Sequence, residues 1–302
     1  MSHNVADAPL GPDSLSWRYT GDWRNMLLIG RVGFLQLMLP ELGAGVVQHS
    51  AFYTEPLQRV LRSLPPMAGM VYDGPAAIGT ARWIRDLHRP IKGADERGRR
   101  YHALNPEVFF WAHATIHEHV LTTIDLFDHP LTAREEERLF EEMTQVWRMF
   151  GLSMRPVPDS AGSFRRYFDR MCAERLEVTP AAEALRTFVT RPGAMPQPWV
   201  PHWLWRPAAP LGFGVLRSLT IASLPPAAAA KLGLEATAAD RRRLRAVSAL
   251  VRRGWPALPS RLRYMPRARA AFAREHAARE HAARERAARE DAARERAAGD
   301  IP

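Results

Sequence analysis

His88 is the first residue in this sequence whose type and setting could do chemistry. It closes the stretch GPAAIGTARWIRDLHRPIKG, and a helix opening at Pro75 places Ala81 and Ile84 at i−7 and i−4, on the face that carries the imidazole. A neutral histidine on a dry face can serve a haem iron as its axial ligand. It can equally be a core histidine bonded to backbone, and the residue types alone leave both open. A second group is WAHATIHEHV, where His113 and His117 stand four apart with His119 just beyond. Such a pair can bind zinc, but a zincin needs glutamate directly after the first histidine and Ala114 is there instead, so His113 reads as a buried structural residue or an active-site wall. The third group is TEPLQRVLRSL, in which Arg59, Arg62 and Ser63 fall at i, i+3 and i+4 on one helical face. Two guanidiniums side by side are either solvated or positioned for an anion, such as a carboxylate or a developing oxyanion.

The elements that must position these residues announce themselves by their starts. Thr54 with Pro56 opens a short helix, Gly74-Pro75 opens the next, and Asn105-Pro106-Glu107 joins a cap, a first-turn proline and an acid at the positive end of the dipole. Thr132 to Glu135 has the spacing of a capping box, and Thr179-Pro180 starts a helix over Ala181 to Val189. Alternating β-branched runs with hairpin turns are missing, so strands are expected to be few or absent. The passage PGAMPQPWVPHWLWRPAAP, between Arg191 and Pro210, is too rich in proline for a regular helix and reads as an ordered loop whose Trp199, Trp203 and Trp205 pack on the core. After Phe272 a five-residue repeat begins, REHAA REHAA RERAA REDAA RERAA, with Glu275 and Arg279, then Glu280 and Arg284, at i,i+4. Five residues advance about 500°, so no face stays apolar and the tail reads as a solvated helix or a fraying extension.

Composition narrows the function classes. With 46% hydrophobic residues and nine tryptophans in 302, the chain can bury a sizeable core. Cys172 is its single cysteine, which excludes a disulfide framework or a Cys-rich metal site and fits a reducing compartment. Met1 to Ser16 is polar and Pro-interrupted, without the pattern of a signal peptide, so a cytoplasmic location is expected. The apolar stretch Leu211 to Pro226 is interrupted by Arg217 and too short to cross a bilayer, though a membrane-surface contact stays open. The formal net charge of +10 is concentrated: from Arg241 to Arg269 there are ten arginines and no acid. That reads as a solvated face with arginine stems over apolar surface, with phosphate or anionic lipid as the alternatives. Nucleic acid is not expected as a partner, since only the charge recommends it.

From about Arg24 to about Phe272 the sequence resembles the oxygenase family that includes mpaB and bacterial rubber oxygenase, also called latex clearing protein. The likeness is carried by GVVQHSAF, EPLQRVLRS, RWIRDLHRPIKG, YHALNPEVFFWAHAT, FRRYFDRM with LEVTP, and LPSRLRYMP. The resemblance implies an all-α fold, a single helical bundle with a globin-like core around a noncovalent haem b, used in rubber oxygenase to cleave carbon–carbon double bonds of polyisoprene with dioxygen. It implies that His88 is the proximal iron ligand, and that Arg59, Arg62 and Ser63 match a distal stretch where the rubber-cleaving branch has Arg, Lys and Thr. An arginine cannot lose its proton as a lysine can, so a lysine-specific role does not transfer. In LMLPELGAGV many relatives carry a histidine before the proline where this chain has Leu39, with Glu41 as the nearest carboxylate.

Residues and resemblance together predict an N-terminal arm over 1–23, an oxygenase-like domain over 24–272 and a charged tail over 273–302. They point to a haem b oxygenase acting with dioxygen on a lipophilic small molecule, an isoprenoid or polyketide-like metabolite. His88 would hold the iron, Arg59, Arg62 and Ser63 would act on bound oxygen or the propionates, His113 would line the cofactor site, and Phe109, Phe110 and Trp111 would wall the substrate pocket. The alternative is a non-catalytic haem- or lipid-binding protein with a basic docking surface.

Overall fold

The architecture comes from a computed structural model, which describes residues 8–191 and 202–299. Among them the chain forms fourteen α-helices: α1 (Leu15–Tyr19), α2 (Ile29–Leu37), α3 (Pro40–His49), α4 (Pro56–Tyr72), α5 (Ala77–Leu87), α6 (Pro106–Phe127), α7 (Ala133–Met149), α8 (Ala161–Arg170), α9 (Pro180–Thr190), α10 (His202–Ser223), α11 (Pro226–Leu232), α12 (Ala238–Gly254), α13 (Ser260–Arg263) and α14 (Pro266–Gly299). One short hairpin, β1 (Lys92–Ala94) with β2 (Arg100–His102), pairs antiparallel. The fold is all-α, as expected. No single helix among the described residues is long and apolar enough to cross a membrane.

Local chemistry explains most helix starts. Asn105 accepts from Glu107 N at 3.0 Å, Thr179 accepts from Ala182 N at 3.1 Å, and Thr132 and Glu135 form a reciprocal capping box. α6 is the axis of the bundle, because residues on all its sides are buried, Val108 through Trp111 consecutively. Helices α2, α3, α7 and α12 pack around it. The Arg31 guanidinium, itself buried, makes a two-pronged ion pair with Glu118 of α6 and a bond to Ser223 O, which locks α2 to α6 and α10.

Three expectations are corrected. The helix opened by Pro56 is not short: α4 runs seventeen residues through Pro65 and Pro66, since two prolines delete only two donors of the ladder while the helix goes on to bury Ala68, Met70, Val71 and Tyr72. Residues 202–210, read as loop, are the first part of α10, which likewise runs through Pro207 and Pro210. Trp203 does not pack on the core but stands 76% exposed; Trp199 and the side chain of Trp205 lie outside what the structure describes.

The segment read as an arm enters the core from Leu10 onward. Trp17 is buried and meets the rings of Tyr72 and Phe272 edge-on. Tyr72 Oη donates to Trp17 O at 2.7 Å and accepts from Gly21 N at 2.8 Å, while a Cβ at Gly21 would lie 2.6 Å from Ala268 Cβ, so the close crossing of these segments requires glycine. Asp22 accepts from Arg24 and from Trp255 Nε1, tying both ends of the domain together. α14 continues as one helix into the repeat tail, where the surface is largely exposed. Arg284 approaches Glu280 at 3.9 Å as the spacing predicts, but Arg279 approaches Asp13 at 3.5 Å instead of pairing with Glu275. Arg274 Nη2 donates to Tyr72 O at 2.7 Å, so docking of this helix on the body extends slightly past Phe272.

Candidate functional site

A cavity of about 640 Å³ opens between α3, α4, α5, α6 and α7, a size suited to a drug-sized or larger ligand. Its walls are mainly apolar, with Val46, Met67, Met70, Ile84, Phe109 and Val146 among them. Arg59, Arg62, Ser63, His88 and His113 all line this one space, although they come from three helices.

His88 sits at the C-terminal cap of α5, two residues before Pro90. Its Nδ1 lies 2.7 Å from Ile84 O, and a carbonyl can only accept, so the proton is on Nδ1 and the lone pair on Nε2. Phe109 fixes the ring edge-to-face at a centroid distance of 5.4 Å. The preceding turn holds α5 against α4: Asp73 accepts from Thr80 Oγ1 at 2.8 Å and from Arg267, and Gly74 takes a left-handed φ of +56° that only glycine adopts without strain.

The three residues of α4 play different parts. Arg59 is half-buried, its guanidinium has no hydrogen bond or carboxylate partner among the described residues, and burial lowers its pKa. Arg62 is at the exposed rim and pairs with Glu55 at 2.9 Å. Ser63 Oγ donates to Arg59 O at 3.0 Å, a back-bond to the preceding turn.

On α6, His113 Nε2 donates to Met143 O at 3.0 Å, and burial pushes its pKa down to about 4. His117 also lines the cavity, edge-on to Phe164 at 4.9 Å, with its pKa lowered to about 3 by burial and then by His113. His119 points elsewhere, with Nε2 2.9 Å from Asn25 O. No group of three His, Cys, Asp or Glu among the described residues gathers as a metal site of that kind.

Of the three aromatic residues expected to wall the pocket, only Phe109 does. Phe110 and Trp111 are fully buried in the core, Phe110 edge-on to Trp147 and Trp111 donating Nε1 to Leu35 O at 2.8 Å, because consecutive helical residues point about 100° apart. Leu39 likewise belongs to the core and not to the cavity wall. Glu41, two residues on, does line it. Its Oε1 accepts from Arg175 at 3.0 Å, whereas Oε2 is buried without a hydrogen-bond partner. Sequence reading gave this carboxylate no role, and it passed over His49, Gln36 and Tyr101 on the same wall; the only signal for Glu41 was an acid in the first turn after Pro40.

The donor set fits a b-type haem. One imidazole with a carbonyl-held Nδ1 leaves Nε2 as a lone-pair donor, the walls are apolar, and an unpaired, partly desolvated arginine can take a propionate. A family model described as ER-bound oxygenase mpaB/B′/rubber oxygenase, catalytic domain, matches residues 17–253. No curated protein and no solved structure matches the chain.

Proposed function

The chain belongs to the mpaB/rubber oxygenase catalytic-domain family, and from that premise we propose that it is a haem b-dependent oxygenase acting on a lipophilic small molecule. A general oxygenase role, with dioxygen and an oxidisable substrate as partners, comes with the family. Haem dependence rests on one observation above the others: His88 presents a lone pair at Nε2, with Nδ1 anchored to Ile84 O at 2.7 Å, on the wall of a large apolar cavity. The haem would supply redox-active iron at which dioxygen is activated. His88 would hold that iron and, through the carbonyl bond at Nδ1, keep its ring oriented with Nε2 free to bind. Arg59 would meet a propionate or other anionic charge with a cation that nothing else occupies. Met67, Met70 and Val146 would bury an apolar substrate and exclude water. Such walls suit an alkene of an isoprenoid or polyketide-like metabolite, cleaved oxidatively at a C=C bond.

The test is the pigment. The purified protein is expected to show a Soret band, and His88→Ala should fold with unchanged helical circular dichroism while losing that band, regaining it with added imidazole. His113→Ala should keep the pigment. A His88 variant with wild-type haem content, alongside a colourless His113 variant, would move the ligand to α6; a colourless wild-type chain that takes up no haem would remove the reading altogether.

A further inference from the structure

The outward face of α12 is basic, and its arginines divide into two sets. Those that lean inward are engaged: Arg243 donates to Ser218 Oγ at 3.2 Å, and Arg252 donates to Asp125 O at 2.8 Å. The guanidiniums of Arg242, Arg245 and Arg253 point outward, are exposed, and make no hydrogen bond or ion pair among the described residues. Between Arg241 and Arg269 the sequence offers no acid to neutralise them.

Helical spacing gathers them. Arg242, Ala246, Ala249 and Arg253 stand at i, i+4, i+7 and i+11 and are all exposed, so they form one outward stripe with Arg245 and Leu250 on its flanks. The opposite side of α12 is committed to the core, where Leu244, Val247 and Val251 pack on Leu28, Phe127 and Leu219. A large apolar side chain stands beside the outward charges: Leu250 is 72% exposed.

We propose that this face docks on the surface of an anionic lipid bilayer. Lipid headgroups supply negative charge that complements the three unpaired guanidiniums, and the boundary beneath the headgroups accepts a leucine side chain that water does not. A nucleic acid would satisfy the arginines but offers an exposed leucine no comparable apolar layer, so the interleaving of Arg and Leu selects lipid. The stripe lies on α12, which contributes no residue to the cavity wall, and the proposal stands whether or not the cavity holds haem.

Vesicle flotation of the full-length protein tests it, with phosphatidylcholine vesicles compared with vesicles containing about 30% phosphatidylserine. The wild type should float with the anionic vesicles only, and should be released by 0.5 M salt as the charges are screened. At about fivefold per arginine near an anionic surface, R242Q/R245Q/R253Q should bind on the order of 100-fold more weakly. R242K/R245K/R253K should retain binding, and Leu250→Ser should weaken it while leaving the dependence on phosphatidylserine. Equal binding to both vesicle types, or an unchanged affinity in the glutamine variant, would overturn the proposal. Tighter binding to random-sequence duplex DNA than to anionic vesicles, with Leu250→Ser without effect, would overturn it in favour of a nucleic-acid surface.

Discussion

Acid should unfold this protein from within α6. His113, His117 and His119 are held neutral by burial, with pKa values lowered to about 4, 3 and 3 from the 6.5 of an unconstrained imidazole. Because each folded value lies below the unfolded one, the unfolded chain takes up protons between about pH 6.5 and pH 4 that the native chain refuses. Stability is therefore level above that window and falls as the pH drops through it. From pH 7 to pH 5 the loss is about 2 kcal/mol per histidine, or about 6 kcal/mol for the three. That is a large share of the ~5–15 kcal/mol that holds a typical domain together. The assay is urea unfolding followed by circular dichroism at pH 7, 6 and 5. His119→Gln keeps a donor for Asn25 O and removes one titrating ring, so its pH dependence should be about a third shallower than that of the wild type. An unfolding free energy that changes by less than about 2 kcal/mol from pH 7 to pH 5 would refute the reasoning, and would mean that these rings are hydrated or already protonated in the native state.

Other perturbations follow from contacts already described. Arg59→Leu should raise the melting temperature of the haem-free chain, because it removes a partly buried charge without a partner, while loosening haem retention measured by transfer to apomyoglobin. Arg62→Leu should change stability by no more than about 0.5 kcal/mol, since its pair with Glu55 is exposed to solvent. Glu118→Leu leaves Arg31 charged and buried, and should cost about 3–5 kcal/mol in urea unfolding. Removing everything after Glu275 should leave the melting temperature within about 3 °C of the full chain, whereas Phe272→Ala, which takes a ring from Trp17, Tyr72 and Tyr264, should cost about 2–3 kcal/mol.

What the sequence made legible was local. The caps at Asn105, Thr132 and Thr179 depend on neighbouring residues, and each is formed in the structure where the spacing put it. Proline misled in the opposite direction twice, at Pro65-Pro66 and at Pro207 and Pro210, because its penalty is local while the decision to continue a helix is made by burial further along the chain. The cavity wall was harder to read than the helices. α6 is buried on all sides, so its periodicity does not distinguish Phe109, which faces the cavity, from Phe110 and Trp111, which face other helices. Glu41 was obscured for a different reason: its partner Arg175 is 134 residues away, and nothing at position 41 itself announces the pairing.

The repeat tail also changes how the molecule moves through a solvent. Past the contact of Arg279 with Asp13, the helix from residue 280 to residue 299 advances about 1.5 Å per residue, making a spar on the order of 30 Å long beyond the body. A spar of this kind adds little mass but sweeps a large volume as the molecule tumbles. On a sizing column the protein should therefore elute ahead of a compact sphere of the mass that light scattering measures for it, and removing everything after Glu275 should shrink that discrepancy.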